Sequence, residues 1–398
     1  MRKSTQLTPE KFDAVIVGGG LVGLSLARAL GGSGLALALI EPHPQNRHPA
    51  RDDGSWDSRV YTVSPGAAAY LGQCGAWQRL RNERVTRIES MRVFGDDGRA
   101  CLEFNAYDAG LRELGFVVEN RELQHALWEE VRALEVRLYC PARWTALEFG
   151  ADRALLRTGD GSAIAAQLVV GADGAESRVR AHAGIVVEPG EYGQLGVVAN
   201  FACAKPHRRV AFQWFRRDGV LALLPLPGNR VSMVWSIAQE GGRRLLGLPA
   251  EELASEVETA SAGAVGALEL VTPAAGFPLK LQRVAHIVKP RLALAGDAAH
   301  NVHPLAGQGV NLGFRDARAL ATTLLERGAQ RDCGDYALLR RYERARKEDV
   351  LAMQFTTHTL QKLFNNNIVW LSWARNLGLT LANRQPQLKN FLVHRAVA

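Results

Sequence analysis

The sequence predicts an α/β protein, in which a Rossmann-like nucleotide-binding domain is interrupted by an antiparallel β-sheet domain and followed by a helical C-terminus. Three observations carry this reading. A βαβ pattern with a glycine fingerprint opens the chain, "FDAVIVGGGLVGLSLARALGGSGLALALIEPHP". Four runs rich in β-branched and aromatic residues, from "LGVVANFAC" to "NRVSMVWSIA", follow one another with little between them, the mark of an antiparallel sheet. From about residue 313 onward the pattern is mostly helical.

In the opening unit, Ala14 to Val17 reads as a buried strand, Leu21 to Leu30 has helical apolar spacing, and Leu35 to Ile40 is a second buried strand ending at Glu41. Gly18, Gly20 and Gly23 fall where a dinucleotide fingerprint needs them: a tight turn, close backbone approach to a pyrophosphate, and helix-on-strand packing. The helix start at Leu21 and Val22 offers free N–H groups and the positive end of a dipole to phosphates. Glu41, at the tip of the second strand, suits a ribose hydroxyl.

Residues 48 to 66 are polar and rich in turn formers, and read as a loop feeding a helix from about Pro65 to Leu80. Residues 86 to 104 read as hairpin strands around "GDDG". "ENRELQHALWEEVRAL" is an amphipathic helix with Leu123, Leu127 and Val131 on one face, and Arg121 and Gln124 near its start. A buried strand, Leu168 to Val170, leads into the turn Gly171-Ala172-Asp173-Gly174 and a short helix. In the sheet runs Val210, Phe212 and Trp214 share one face, and Phe212, Trp214 and Leu224 are candidates to line an apolar pocket, with plain core packing as the alternative. Residues 241 to 270 read as helical.

Composition narrows the function classes. The 398 residues are 47% hydrophobic and 22% charged, as in ordinary soluble globular proteins, so disorder is not expected. The net charge of +8 is carried mainly by arginines scattered along the chain with no basic block or nucleic-acid motif, which argues against nucleic-acid binding and allows weak attraction to anionic lipid. Cys74, Cys101, Cys140, Cys203 and Cys333 show no metal or CxxC spacing and read as reduced thiols. The polar N-terminus resembles neither a signal peptide nor an anchor, and no run of 18 apolar residues occurs. The expected location is the cytoplasm, with peripheral contact at the inner membrane as a further possibility.

The densest stretch is "LALAGDAAHNVHPLAGQGVNLGFRDARAL", residues 292 to 320, where a strand breaks into a turn rich in glycine, histidine and proline before a helix. His300 and His303 lack a third ligand at sensible spacing, so no metal site is expected, and His303 before Pro304 reads as shaping the turn. With Gly296-Asp297 this is the third glycine-acid turn at a strand end.

The three turns in this order resemble the class A flavoprotein monooxygenases, the group containing para-hydroxybenzoate hydroxylase, over nearly the whole chain. The run His303, Pro304, Gly307, Gln308, Gly309, Asn311, Gly313 and Asp316 is similar to the HPxAGQGxNxGxxD signature of the ubiquinone-biosynthesis hydroxylases of the UbiH/UbiF type. "GVLALLPLPGNRVSMVWS" and "DSRVYTVSPGAAAYLGQCGAW" look like that family's sheet and flavin-loop segments.

The resemblance implies FAD bound by Gly18, Gly20, Leu21, Val22, Gly23 and Glu41, by Asp173 and Gly174, and by Gly296 and Asp297 on the ribitol or diphosphate side. It implies Pro304, Gly307, Gln308, Gly309 and Asn311 around the flavin ring, with a helix beginning near Asn311, and Arg59 and Arg121 as basic residues facing the cofactor. The implied reaction is hydroxylation of a polyprenylated phenol of ubiquinone biosynthesis with NAD(P)H and O2, through a flavin C4a-hydroperoxide, with no catalytic side chain named.

With one dinucleotide fingerprint only, NAD(P)H is expected to bind transiently. Hydroxylation of a small soluble aromatic and a non-catalytic scaffold in a quinone-synthesis complex stay open as alternatives. The expected partners are a lipophilic aromatic substrate, O2, NAD(P)H and other ubiquinone-biosynthesis proteins. The expected division is an FAD-binding domain in three parts (1–85, 111–190 and 281–340), a substrate domain in two (86–110 and 191–280), and a helical region 341–398. Its C-terminal mix of Leu, Trp and Phe with Lys and Arg reads as either an interfacial helix or one packed on the FAD domain.

Overall fold

The computed structural model describes residues 8–43, 54–95, 100–301, 309–328 and 330–364. The expectations placed on His303, Pro304, Gly307 and Gln308, and on residues beyond 364, lie outside the described residues.

The first sheet runs in spatial order β18 (Val288–Lys289), β19 (Leu292–Leu294), β11 (Ala163–Gly171), β1 (Glu10–Val17), β2 (Leu37–Ile40) and β8 (Val136–Tyr139). From β19 to β8 every pairing is parallel. The strands β10 (Ala154–Thr158) and β9 (Trp144–Phe149) add an antiparallel flap to the first half of β11.

Parallel strands covered on both faces read as continuous apolar runs, and here the two faces separate cleanly. Ala14, Ile16, Leu37, Leu39, Leu168 and Val170 join a core with α1 (Leu21–Leu30), α3 (Asn120–Arg132) and α7 (Gly309–Leu325). Their neighbours Val15, Val17, Ala38, Ile40 and Val169 pack on the other side with Leu147, Leu156 and Val179, the last from α4 (Arg178–His182).

The second sheet runs β16 (Leu268–Leu270), β12 (Val187–Cys203), β15 (Arg230–Ala238), β14 (Gly219–Leu226), β13 (Val210–Arg216), β5 (Ser90–Phe94) and β6 (Cys101–Asn105), with β17 (Ala275–Val284) also on β12. It is antiparallel except for the pair β5 and β13, where a segment distant in sequence joins the sheet edge. One face is covered by α5 (Gln239–Leu246) and α6 (Ala250–Ala260), through Leu245, Leu253 and Val257. A small sheet of β3 (Val60–Val63), β7 (Gly115–Glu119) and β4 (Val85–Ile88) completes the strands.

Two expected helices are shorter than their patterns. The helix predicted to reach Leu80 is α2 (Pro65–Gln73), capped by Ser64 and followed by Gly75 at φ +76°, a left-handed residue that turns the chain into a 3₁₀ turn at Trp77–Arg79. The stretch 241–270 is two helices and a strand. Gly247 and Pro249 separate α5 from α6, and Gly263 and Gly266, both at positive φ, end the helical run before β16. From residue 309 the described chain is α7 and then α8 (Tyr336–Phe364). All five cysteines are free thiols. Among the described residues no helix is long and apolar enough to cross a membrane.

Candidate functional site

The strand order β19-β11-β1-β2 sets the C-terminal ends of four parallel strands side by side. Gly296-Asp297, the Gly171 to Gly174 turn, Gly18 to Gly20 and Glu41 leave these four ends in succession, so pieces scattered over some 280 positions meet at one edge. That edge is where open parallel sheets bind ligands.

The three fingerprint glycines meet different demands. Gly18 has φ +115°, and a Cβ there would overlap the Ala172 carbonyl of the neighbouring turn. A Cβ on Gly23 would overlap the Gly18 carbonyl, so this glycine lets α1 close onto β1. Gly20 has ordinary φ, and a Cβ there would meet nothing within 4 Å; it faces open space at the start of α1, whose N-cap carries no side-chain hydrogen bond. Gly20→Ala is therefore expected to cost folding no more than about 1 kcal/mol, since alanine is a poorer N-cap than glycine, while crowding a bound phosphate. A tenfold or greater loss of dinucleotide affinity with only a small drop in thermal midpoint is the expected result.

Glu41 is nearly buried; its Oε2 accepts from the Gly19 N–H at 2.6 Å and its Oε1 from the His43 N–H at 2.9 Å. The turn and the carboxylate thus fix one another. Asp297 is exposed to the open space, yet the protein packed around it pushes its carboxyl above the usual range, with His300 and Arg59 pulling it down and Asp316 adding to the rise. Opposite stands Tyr61, with the Arg59 guanidinium 5.3 Å from its ring centre; burial pushes the Tyr61 hydroxyl up to about 12.

Several expected contacts are redirected. Arg121 does not line the open space: it ion-pairs with Glu119 at 3.0 Å and donates to the Ser55 hydroxyl at 3.0 Å and to the Ser55 carbonyl, bracing the segment that leads to Arg59. Its partner Glu119 is fully buried, and the need to compensate that charge captures the nearest guanidinium groups, Arg121 and Arg84.

Asn311 is also buried and off the open space. Its Oδ1 accepts from the Ser64 N–H and its Nδ2 donates to the Thr62 carbonyl, tying the start of α7 to the β3–α2 corner. Within the described residues α7 is already helical at Gly309, two residues before Asn311, and Gly309 lines the space. Asp173 borders it too, but the Asp173 carboxylate accepts from the Ser177 hydroxyl and the Arg178 and Val179 N–H groups, and so caps α4. Gly174 adopts φ +83°. Val22 packs against Gly296 and Gly313, at both of which a Cβ would press on its side chain.

His300 is held by a carboxylate. Its Nε2 lies 2.6 Å from Asp316 Oδ2, which also accepts from the Gly296 N–H at 2.9 Å; Asp316 Oδ1 accepts from Arg346 Nε at 2.7 Å. All three side chains are at most 4% exposed, so one buried carboxylate holds the Gly296-Asp297 turn, α7 and α8 together. Among the described residues no group of three or more His, Cys, Asp or Glu is placed to hold a metal ion.

The space itself is a continuous cavity of about 2230 Å³. One end is walled by Gly18, Gly20, Glu41, Arg59, Asp297 and Gly309, the other by the uncovered face of the second sheet. There Ala211, Gln213 and Phe215 of β13 and Val220, Ala222 and Leu224 of β14 alternate inward. Trp214 is on the opposite face, stacked on Phe94 and Phe212 at 5.4 and 5.8 Å beneath the helices, whereas Phe212 both joins that core and lines the cavity. The pocket face of β13 is thus the alternate of the one that Trp214 marks.

The model of the FAD-binding domain family matches residues 11–356. The ubiquinone hydroxylase UbiL of Rhodospirillum rubrum is 37% identical over 97% of this chain and 89% of that one. The chain belongs to the FAD-dependent hydroxylases of ubiquinone biosynthesis. The 3-demethoxyubiquinol 3-hydroxylase of Escherichia coli is 36% identical, covering 96% of this chain and 97% of its own. Among solved structures, PqsL of Pseudomonas aeruginosa in complex with 2-aminobenzoylacetate shares the fold, with TM-score 0.76 and 23% identity over 93% of this chain and all of that one.

Membership in this hydroxylase family accounts for a cavity with two chemically distinct ends. Sequence reasoning assigned no role to Tyr61, Gln213 or Asp316. Asp316 closes the quoted signature, and its aspartate on an otherwise apolar helix face was the available signal; nothing local marked the other two.

Proposed function

We propose that this chain is an FAD-dependent monooxygenase that uses NAD(P)H and O2 to hydroxylate the aromatic head of a polyprenylated phenol in ubiquinone biosynthesis. The observation that carries the reading is the single cavity joining the glycine turns to an apolar sheet face. Its volume is about twice the roughly 1,000 Å³ upper range of a small-molecule pocket, room for a dinucleotide and a large apolar substrate together.

The residues fit the cofactor. The open side of Gly20 and the uncapped start of α1 suit a diphosphate, Glu41 a ribose, and the Asp297 carboxyl a hydroxyl-rich chain. Bound FAD supplies the chemistry: it takes electrons from NAD(P)H and activates O2 for insertion into the ring. The chain contributes position and dryness. Gly309 and Val310, on the described N-terminal part of α7, border the cavity, and Val220, Leu224 and Phe215 exclude water from the substrate end.

A lipophilic substrate calls for access at a membrane surface, so peripheral contact with the inner membrane and with other ubiquinone-biosynthesis proteins belongs to the same proposal. The test is the quinone-lipid profile of a strain lacking the gene, with the visible spectrum of the purified protein. A prenylated phenol lacking one hydroxyl, together with a flavin spectrum, is the expected result. An unchanged quinone pool with bound FAD would move the substrate to a small soluble aromatic, and a protein without flavin would refute the reading.

A further inference from the structure

The cavity extends between α7 and α8, where Arg315, Arg318, Thr322, Thr323, Arg346 and Asp349 line it. Arg315 stands six residues beyond Gly309 along α7, about 9 Å of helix rise from that cavity-lining glycine. Arg346 is 4% exposed; its Nε and Nη1 bind Asp316 and Asp349, and its Nη2 is buried without a hydrogen-bond partner. Arg315 Nη2 is buried and unpartnered as well.

Among the described residues lining the lobe, Arg315, Arg318 and Arg346 stand against the one carboxylate of Asp349, while Asp316 behind them is committed to His300, Gly296 and Arg346. Burial lowers the pKa of Arg315, Asp349 opposes, and the like charge of Arg346 adds to the fall. Buried guanidinium donors without acceptors are costly, and a planar fork of N–H groups matches phosphate oxygens.

We propose that the lobe between α7 and α8 is an anion subsite for a phosphate group, with Arg315 and Arg346 as its donors and Arg318 at its mouth. The phosphate belongs either to the dinucleotide co-substrate or to a phospholipid headgroup. The site is separate from the turn at Gly20 and does not depend on which ring the enzyme hydroxylates.

The test titrates inorganic pyrophosphate calorimetrically into the full chain loaded with FAD, for the wild type, Arg315→Gln and Arg315→Lys. Binding in the wild type, at least tenfold weaker in Arg315→Gln and partly restored in Arg315→Lys, is expected, with flavin content and thermal midpoint as folding controls. Should Arg315→Gln fail to fold, protection of Arg315 from phenylglyoxal by pyrophosphate, read by peptide mass spectrometry on the wild type, decides instead.

Two further readouts identify the source. A tenfold higher KM for NADPH or NADH at unchanged kcat in the variant assigns the phosphate to the dinucleotide. Loss of co-sedimentation with phosphatidylglycerol vesicles, with phosphatidylcholine vesicles as control, assigns it to a headgroup. No pyrophosphate binding to the FAD-loaded wild type, or equal binding by Arg315→Gln, overturns the proposal. Flavin content and NAD(P)H oxidation report separately on the hydroxylase reading.

Discussion

Gly23→Ala is expected to yield a protein that retains little or no FAD. The added methyl group would overlap the Gly18 carbonyl, and neither atom can yield freely. Gly18 is itself held at φ +115° against the Ala172 carbonyl, and Ala172 belongs to the turn after β11. Moving α1 outward therefore shifts two of the three glycine turns at once. Overpacking of a closed contact costs about 1–3 kcal/mol, and here the strain falls on the backbone that meets the diphosphate. The measurement is the flavin-to-protein absorbance ratio after purification, with the thermal midpoint alongside. Stoichiometric flavin in Gly23→Ala would show that the fingerprint turn does not hold the cofactor. Set beside Gly20→Ala, the pair separates packing from ligand approach.

Asp316→Asn is expected to destabilise the protein by about 3–5 kcal/mol, the cost of leaving a buried charge without its partner. The amide keeps the shape but cannot serve both His300 and Arg346, which remain at most 4% exposed. Because the same carboxylate holds the Gly296 N–H, flavin affinity should fall with stability.

The pH dependence has a definite sign. Burial alone would raise the Asp316 carboxyl, yet His300 and Arg346 hold it below its ordinary 3.8. A depressed folded value means that the stabilisation is complete above about 3.8 and is lost as pH falls through the lower folded value. Thermal midpoints recorded from pH 7 downward should fall more steeply below pH 4 in the wild type than in Asp316→Asn. Parallel curves would remove Asp316 from the acid response.

Much of the nucleotide-binding half is legible in the chain because its signals are local. The βαβ unit occupies about thirty consecutive residues, so strand, turn, helix and strand can be read from apolar spacing, and the three glycines from their separations. Asn311 and Arg121 show where such reading stops. Each lies in a segment the sequence reading associates with the site, yet the Asn311 amide is taken by Ser64, 247 positions away, and the Arg121 guanidinium by Glu119 and Ser55. A polar side chain binds what burial leaves unpaired near it, and that is a property of the assembled chain.

The second sheet makes the same division. Alternation along "RVAFQWFR" separates Phe212 and Trp214 from Ala211, Gln213 and Phe215, but period two is indifferent to which set faces ligand. The arrival of α5 and α6 on the Trp214 face decides it, leaving Ala211, Gln213 and Phe215 to the cavity. By itself the sequence determined the fold class, the glycine geometry and a dinucleotide as ligand, since these rest on short-range patterns and sterics. Only the tertiary structure decided which strand face forms the pocket, which carboxylate locks α7 to α8, and where guanidinium groups are left unpaired, because these depend on what distant segments bury together.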